Sequence, residues 1–461
     1  MIRIVSKKTT VSLAFILAIL LTAYRSNGQT NALDAYINQA LATNLVIKQK
    51  SIGLERALND IQIAKSYYLP SVAMQIGYQT GEGGRRIDLP VGDLLNPVYK
   101  TLNQLTGSSA FPTIGNVNQS FFPHNFYDAK LAVTMPIYNV GIGYNISIQG
   151  KQKELQEKDI EIYKRELVKE VKVAYFNYLS AQKAVEVYES ALTLAQEAKR
   201  TNQKLLDAGK GLSAYIVRSE SEIAQTEAKI VEAKQQLKNA KLYFNFLINN
   251  PDTDAINTAF TTNETYNTIV SKLLADNTVQ NREELQSLNI AVQLNKTVLD
   301  LNKAYWKPQL NAFVNTGSQA EKLKFNNQSL YYIGGLQLDI PIFSGKRNEL
   351  KIKQTQLDIQ KIETSKKYAE QQLNLAASVS KNNLVASIEN YKAAQKQVEA
   401  AATYQRIITK GFKEGVNTFL ETIDARNQLV TAQVYENIQL YKVFTAYAQV
   451  ERENALYPLN K

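Results

Sequence analysis

Few side chains in this sequence could carry covalent, redox or metal chemistry. It has one histidine, His124, and no cysteine among its 461 residues. A lone imidazole in a Pro- and Asn-rich stretch, with no thiolate to join it, cannot complete a zinc site or a nucleophilic triad. Gly141-Ile-Gly143 is a G-x-G that lacks the third glycine and the βαβ setting of a dinucleotide fingerprint. It reads instead as the opening of a helix, with Asn139 as its cap, and Ser344 before Gly345 plays the same part later. Trp306 precedes a strand and suits an interface anchor better than a stacking platform. The sequence therefore points away from an enzyme: no catalytic residue, cofactor or metal is expected. The absence of cysteine also excludes disulfides and a lipid-modified N-terminal Cys.

The N-terminus reads as a secretory signal over residues 1–28. Lys7 and Lys8 precede the apolar run Val11 to Leu21, and Ser26 and Gly28 place cleavage before Gln29. That run is shorter than the roughly 20 residues of a spanning helix, and nothing after it is apolar for long enough. An exported chain of this kind is secreted, periplasmic, or inserted as a β-barrel. The formal charge of +11 falls to +7 once Arg3, Lys7, Lys8 and Arg25 leave with the signal. No compact basic cluster is interleaved with aromatics, so nucleic acid is not an expected partner.

Proline and glycine mark the elements. None of the ten prolines lies between 137 and 250 or between 342 and 457. Because an interior proline costs a helix about 3 kcal/mol, these stretches invite long helices. Gly209 with Gly211, and Gly411 with Gly415, interrupt them near the middle, which predicts a helical hairpin in each half, turning at 208–214 and 411–417. Leu167, Val171, Ala174, Tyr178, Ala181, Val185, Tyr188, Leu192 and Ala195 keep an unbroken 4,3 spacing. Leu373, Ala377, Ser380, Leu384, Ser387, Tyr391, Ala394, Val398 and Ala401 repeat it with smaller occupants. A sustained period of 3.5 packs helices side by side in coiled-coil fashion. A helix from about 143 to 207 would be roughly 100 Å long, which implies a tube, rod or fibre.

The two halves are one unit duplicated. Lys65-Ser-Tyr-Tyr-Leu-Pro70 recurs as Lys303-Ala-Tyr-Trp-Lys-Pro308, and Thr134-Met-Pro-Ile-Tyr138 as Asp339-Ile-Pro-Ile-Phe343. Gly211-Leu-Ser-Ala-Tyr-Ile216 aligns with Gly415-Val-Asn-Thr-Phe-Leu420, which predicts left-handed or otherwise relaxed backbone at Gly211 and Gly415. The first repeat is expected over 29–248, with a long loop at 80–126, and the second over 281–448, with a short loop at 317–330. An insert at 249–280 separates them and a tail at 449–461 follows. Beside the prolines the period changes to two. Val72, Met74, Ile76 and Tyr78, then Leu131, Val133 and Met135, then Leu310, Ala312 and Val314, then Leu336, Leu338 and Ile340 form apolar faces opposite polar ones. Such segments suit a lipid-facing barrel with a wet lumen, and Tyr68, Tyr138, Trp306, Tyr332 and Phe343 near the strand ends suit its membrane interfaces. Other aromatics at these ends are Tyr67, Phe126, Tyr127, Tyr305 and Tyr331. Four strands cannot close a barrel around water, so copies must complete it, and three copies give twelve strands. The competing reading is a secreted or periplasmic coiled-coil rod, structural or adhesive, which would share the signal and heptads but has no use for the four strands.

Signal, helix, strand, loop, strand and long hairpin, all duplicated, resemble the TolC-like outer-membrane efflux proteins over the whole mature chain. Ala40-Leu-Ala-Thr-Asn44, Asn281-Arg-Glu-Glu-Leu285, the two strand-edge proline motifs and the glycine tips carry the likeness. The resemblance implies a mixed α/β membrane protein: a homotrimer with a twelve-stranded β-barrel in the outer membrane of a Gram-negative bacterium, continuous with a periplasmic coiled-coil tunnel. It implies the exit duct of a tripartite efflux or type I secretion system, working with a periplasmic adaptor (membrane fusion) protein and an inner-membrane RND or ABC-type transporter. The insert and tail would form an equatorial belt. Glu421 and Asp424, three apart on one helix face, match carboxylates that ring the tunnel entrance. Docking would use the tips, at Gly209, Gly211, Leu212, Ser213, Gly411, Gly415, Val416, Asn417 and Thr418. One departure stands out. The Tyr, Arg and Asp that lock the closed entrance in the best-known member of that family are here Phe412, Asn417 and Val217. Any closed state must therefore be held by apolar packing or other contacts.

Overall fold

The computed structural model describes residues 32–122, 124–272 and 282–459. The signal segment with its cleavage position, Asn281, and the part of the insert at 273–280 lie outside them. Helices α1 (Ala32–Thr43) and α2 (Leu45–Ser66) lead into strand β1 (Ser71–Gln79). The helices meet at Asn44, whose Oδ1 accepts hydrogen bonds from the Val46 and Ile47 amides at 2.9 and 3.3 Å. Its Nδ2 donates to the Leu247 carbonyl, so the Ala40–Asn44 motif is a helix cap that also ties down a neighbour. After β1 come β2 (Arg86–Leu89), α3 (Val91–Thr106), β3 (Val117–Ser120) and β4 (Phe126–Tyr138). The first long hairpin is α4 (Val140–Asp207) and α5 (Ser213–Leu247), followed by α6 (Thr262–Lys272). The second half runs α7 (Glu283–Lys303), β5 (Gln309–Glu321), β6 (Leu330–Asp339), α8 (Arg347–Lys413) and α9 (Phe419–Glu453). The proline-free stretches thus become helices of 68 and 67 residues, each turning back into one of 35.

The chain divides into two compact units, and both draw on both halves of the duplication: residues 57–152 with 293–359, and the remainder. The first unit holds an antiparallel sheet of order β1-β4-β5-β6. Its register sorts the side chains. Val72 pairs with Val133 and that with Val314, while Met74, Leu131, Thr316 and Tyr332 form another row of the same face. The opposite face carries Gln75, Lys130, Gly317 and Tyr331 in one row and Gly77, Asp128 and Gln319 in the next. A bulge between Pro136 and Tyr138 ends the β4–β5 ladder where proline has no amide to donate. The segment read as a long loop is itself structured, holding α3 and the β2–β3 ribbon.

The other unit is helical, with a core of Ile37, Leu167, Val171, Tyr175, Phe244, Leu384, Val443 and Phe444 among others. Ile256 and Ile269, from the insert, join it. The second heptad seam is buried at Ala377, Ser380, Leu384, Ser387, Tyr391 and Ala394, and these small residues let helices approach closely. Arg282, of the Asn281–Leu285 motif, is 1% exposed and donates to Glu284, to the Glu453 carboxylate at 2.8 Å and to the Glu453 carbonyl at 2.6 Å. Arg165 pairs with Glu283 and donates to the Tyr457 carbonyl, joining α4, α7 and the C-terminal segment. Among the described residues no helix is long and apolar enough to cross a membrane.

Candidate functional site

Both hairpin turns close with the same hydrogen-bond pattern. At the first, the Lys210 amide donates to the Leu205 carbonyl and the Gly209 amide to that of Leu206, at 2.8 and 2.9 Å. At the second, Val416 donates to Gly411 and Gly415 to Phe412, at 2.8 and 3.1 Å. These are Schellman motifs, whose fifth residue must be left-handed. Gly209 and Gly415 occupy it, with φ of +73° and +79°. Of the two geometries expected at Gly211, left-handed or otherwise relaxed, the left-handed one is not adopted, since its φ is not positive. Gly211 is small for another reason: a Cβ there would stand 2.6 Å from the Leu206 backbone nitrogen. Gly411 likewise leaves room for the Asn417 side chain. Each tip uses one glycine for handedness and one for clearance, in opposite order, and Gly209, rather than Gly211, is the counterpart of Gly415.

The helices that follow begin differently. Leu212 stands at the start of α5 without a side-chain cap, while Ser213 is its first residue. Thr418 caps α9 in a reciprocal box with Glu421. The Glu421 amide donates to Thr418 Oγ1, and Glu421 Oε2 accepts from the Thr418 amide at 2.6 Å, the Thr418 hydroxyl at 3.1 Å and Asn417 Nδ2 at 3.2 Å. The Thr418 amide, then the Asn417 and Thr418 side chains, hold the Glu421 carboxyl below its ordinary pKa, so it stays ionised. Asp424 accepts from Gln428 at 2.8 Å. Both carboxylates lie on the exposed side of α9, opposite buried Thr422, Ile423, Ala425 and Arg426.

Sequence reasoning missed two features behind the tips. Phe419 is 1% exposed, and its ring lies 5.1 Å from that of Tyr215 and 5.9 Å from that of Phe412. An aromatic cluster therefore ties α5, α8 and α9 together at the tips. Next, Arg426 donates to Glu222 Oε1 at 3.2 Å, with both side chains under 9% exposed. Glu222 Oε2 has no hydrogen-bond partner among the described residues. Burial pushes the Glu222 carboxyl above its ordinary pKa, and the opposing pull of Arg426 and Arg218 does not cancel it. Residue type and spacing gave no signal for this pair, since charges on long helices usually face solvent.

In the sheet unit, the apolar face is solvent-open in the single chain. Val72, Met74, Ile76, Leu131, Val314, Leu336 and Leu338 are all exposed, as are Tyr68, Tyr138, Trp306, Tyr332 and Phe343. Tyr68, Tyr138, Trp306 and Phe343 stand at the end of the sheet where the helices join, and Tyr332 near the other end. Two strand-end aromatics do different work. Tyr127 is buried, with its hydroxyl donating to the Lys324 carbonyl at 2.6 Å, and Tyr331 donates to Asp128 at 2.7 Å. His124 Nδ1 lies 2.7 Å from the Gly81 carbonyl oxygen, tethering the loop.

The profile of the family described as Outer membrane efflux protein matches residues 36–250 and 274–454. The Alkaline protease secretion protein AprF of Pseudomonas aeruginosa is 22% identical over 339 residues, covering 71% of this chain and 69% of that protein. Among solved structures, CusC, described with transmembrane channel formation, superposes with a TM-score of 0.69 at 13% identity, covering 94% of each chain. The Campylobacter jejuni CmeC outer membrane channel gives 0.67 at 14% identity, covering 92% of this chain and 85% of that one.

Proposed function

The chain belongs to the outer membrane efflux protein family, and on that premise we propose that three copies form the exit duct of a tripartite efflux or secretion system. The observation that carries this is the sheet. It has an exposed apolar face, a polar face with the Asp128–Lys130 pair and Tyr331, and two strands, β1 and β6, each with one edge unpaired among the described residues. Open edges cannot stand in hydrocarbon, and an apolar face of this extent cannot stand in water, so neighbouring copies complete a lipid-facing cylinder. A coiled-coil rod would leave that face uncovered. Tyr68, Tyr138, Trp306 and Phe343 anchor one membrane interface and Tyr332 the other.

The helical hairpins form the periplasmic tunnel, with the insert and the C-terminal segment as a belt around it. The duplicated halves, 29–248 and 281–448, each supply one hairpin. Exposed Leu212, Val217, Val416 and Leu420 at the tips give a periplasmic adaptor an apolar surface, and an inner-membrane transporter of RND or ABC type supplies the cargo. Six carboxylates from Glu421 and Asp424 ring the entrance and favour cations. Because a glutamine at 421 can still accept from the Thr418 amide, Glu421→Gln with Asp424→Asn removes charge while keeping the cap. Planar-bilayer recording of the wild type should show cation selectivity that weakens in this double variant; unchanged selectivity would remove the gate assignment.

A further inference from the structure

The 16-residue helix α3, in the β1–β4 connection, is built inside out. Its inner face is Gly92, Asn96, Tyr99 and Asn103, packed on the returning chain at 111–116. Asn96 exchanges two hydrogen bonds with the Ile114 backbone, at 2.8 and 2.9 Å. Asn103 does the same with Phe111, at 2.8 and 3.1 Å. Tyr99 meets the Phe111 ring, and a Cβ on Gly92 would stand 2.5 Å from the Ile114 oxygen. At about 100° per residue, the opposite face is Leu94, Val98, Thr101 and Leu105. There Leu94 is 69% exposed, Val98 52% and Leu105 78%, with exposed Leu95 and half-buried Leu102 on the flank. Polar side chains are spent inward and aliphatic ones outward, an arrangement that costs solubility unless something covers the stripe.

We propose that the cover is the same helix of the neighbouring copies, so that three α3 helices form an apolar collar at the outer mouth of the duct. The proposal rests on the trimeric exit-duct reading. Three features favour this occupant. The stripe runs 94, 98, 101, 105, the 4,3,4 spacing at which helices seat against one another. The connection leaves from β1, whose unpaired edge is where the next copy must join, and it emerges at the end of the sheet away from α2 and α4. A helix lying in a lipid interface carries a basic polar face, whereas the flank here holds Asp93, Lys100 and Gln104.

The cysteine-free sequence makes the test direct. Val98→Cys and, separately, Leu105→Cys are oxidised in intact outer membranes, with Lys100→Cys on the polar flank as control. The stripe variants should shift up to two of every three chains to a disulfide-linked dimer on non-reducing gels, and the control should not. Stripe cysteines that stay uncoupled while the SDS-resistant trimer persists would overturn the collar, whether they react with a membrane-impermeant maleimide or are quenched by a lipid-borne spin label. Loss of the trimer already in the cysteine-free parent would instead overturn the duct reading.

Discussion

Replacing Arg426 with methionine removes the one charge that hydrogen-bonds buried Glu222, and the structure says how large the effect should be. Both side chains are under 9% exposed, so the pair is not screened as a surface bridge would be. Leaving one member of such a pair alone costs about 3–5 kcal/mol, whereas replacing both with apolar groups of similar volume is about neutral or stabilising. Arg426→Met should therefore destabilise the region strongly, and Glu222→Leu with Arg426→Met should recover most of the loss. Hydrogen exchange of the α5 and α9 amides around 219–226 and 422–430 measures this locally, as a double-mutant cycle. The pH dependence has a definite sign. Glu222 has a raised pKa, so the folded tip keeps a proton that the unfolded chain has lost. Stability is then greatest at the acid end of the window and falls as pH rises from the ordinary glutamate value through the raised one. Losing Arg426 should widen that window. A single-variant loss below about 1 kcal/mol, with no coupling in the cycle, would mean the pair is solvated and the reasoning fails.

Other positions give equally specific outcomes. Phe419→Ala empties a site enclosed by Tyr215 and Phe412 and should cost about 3–5 kcal/mol, read as faster exchange at both tips and more frequent channel opening in bilayers. Gly415→Ala forces a side chain into left-handed backbone and should lower the thermal midpoint, and Gly415→Asn, better tolerated there, should lower it less. Arg282→Met leaves Glu453 and Glu284 with Arg452 as their remaining arginine partner, so it should cost less than the about 3–5 kcal/mol of a buried charge left alone, followed by proteolysis of the C-terminal segment. Burial alone would raise the Glu284 pKa, but Arg282 and Arg452 outweigh it and hold it low. That contribution is present at neutral pH and should fade as pH falls below the ordinary glutamate value.

What the sequence disclosed, and what it hid, follows from which physical signals are local. The seam through Ala377, Ser380, Leu384 and Ser387 was legible because coiled-coil burial imposes its period on the chain. The alternating strands were legible for the same reason, and their register keeps the apolar residues on one face. The tips were only partly legible. Glycine type marks the turn without saying whether handedness or clearance demands it, so Gly211 was matched to Gly415 when Gly209 holds the equivalent backbone. Thr418-x-x-Glu421 spells a capping box, yet a carboxylate can cap and line an entrance at once. Arg426 and Glu222 were hidden because charges on long helices usually face solvent. Helix α3 was hidden by Pro97 and by Asn96 and Asn103, residue types that read as loop composition. Tyr127 shows that a strand-end aromatic can be a buried loop anchor as readily as an interface residue.

The central claim is that this sheet exists only as part of a closed assembly in the outer membrane. Native mass spectrometry of the protein released from that membrane in mild detergent tests it directly. The account predicts a particle of three chains, with edge strands β1 and β6 joined between copies. A stable single chain that stays in solution without detergent would contradict it.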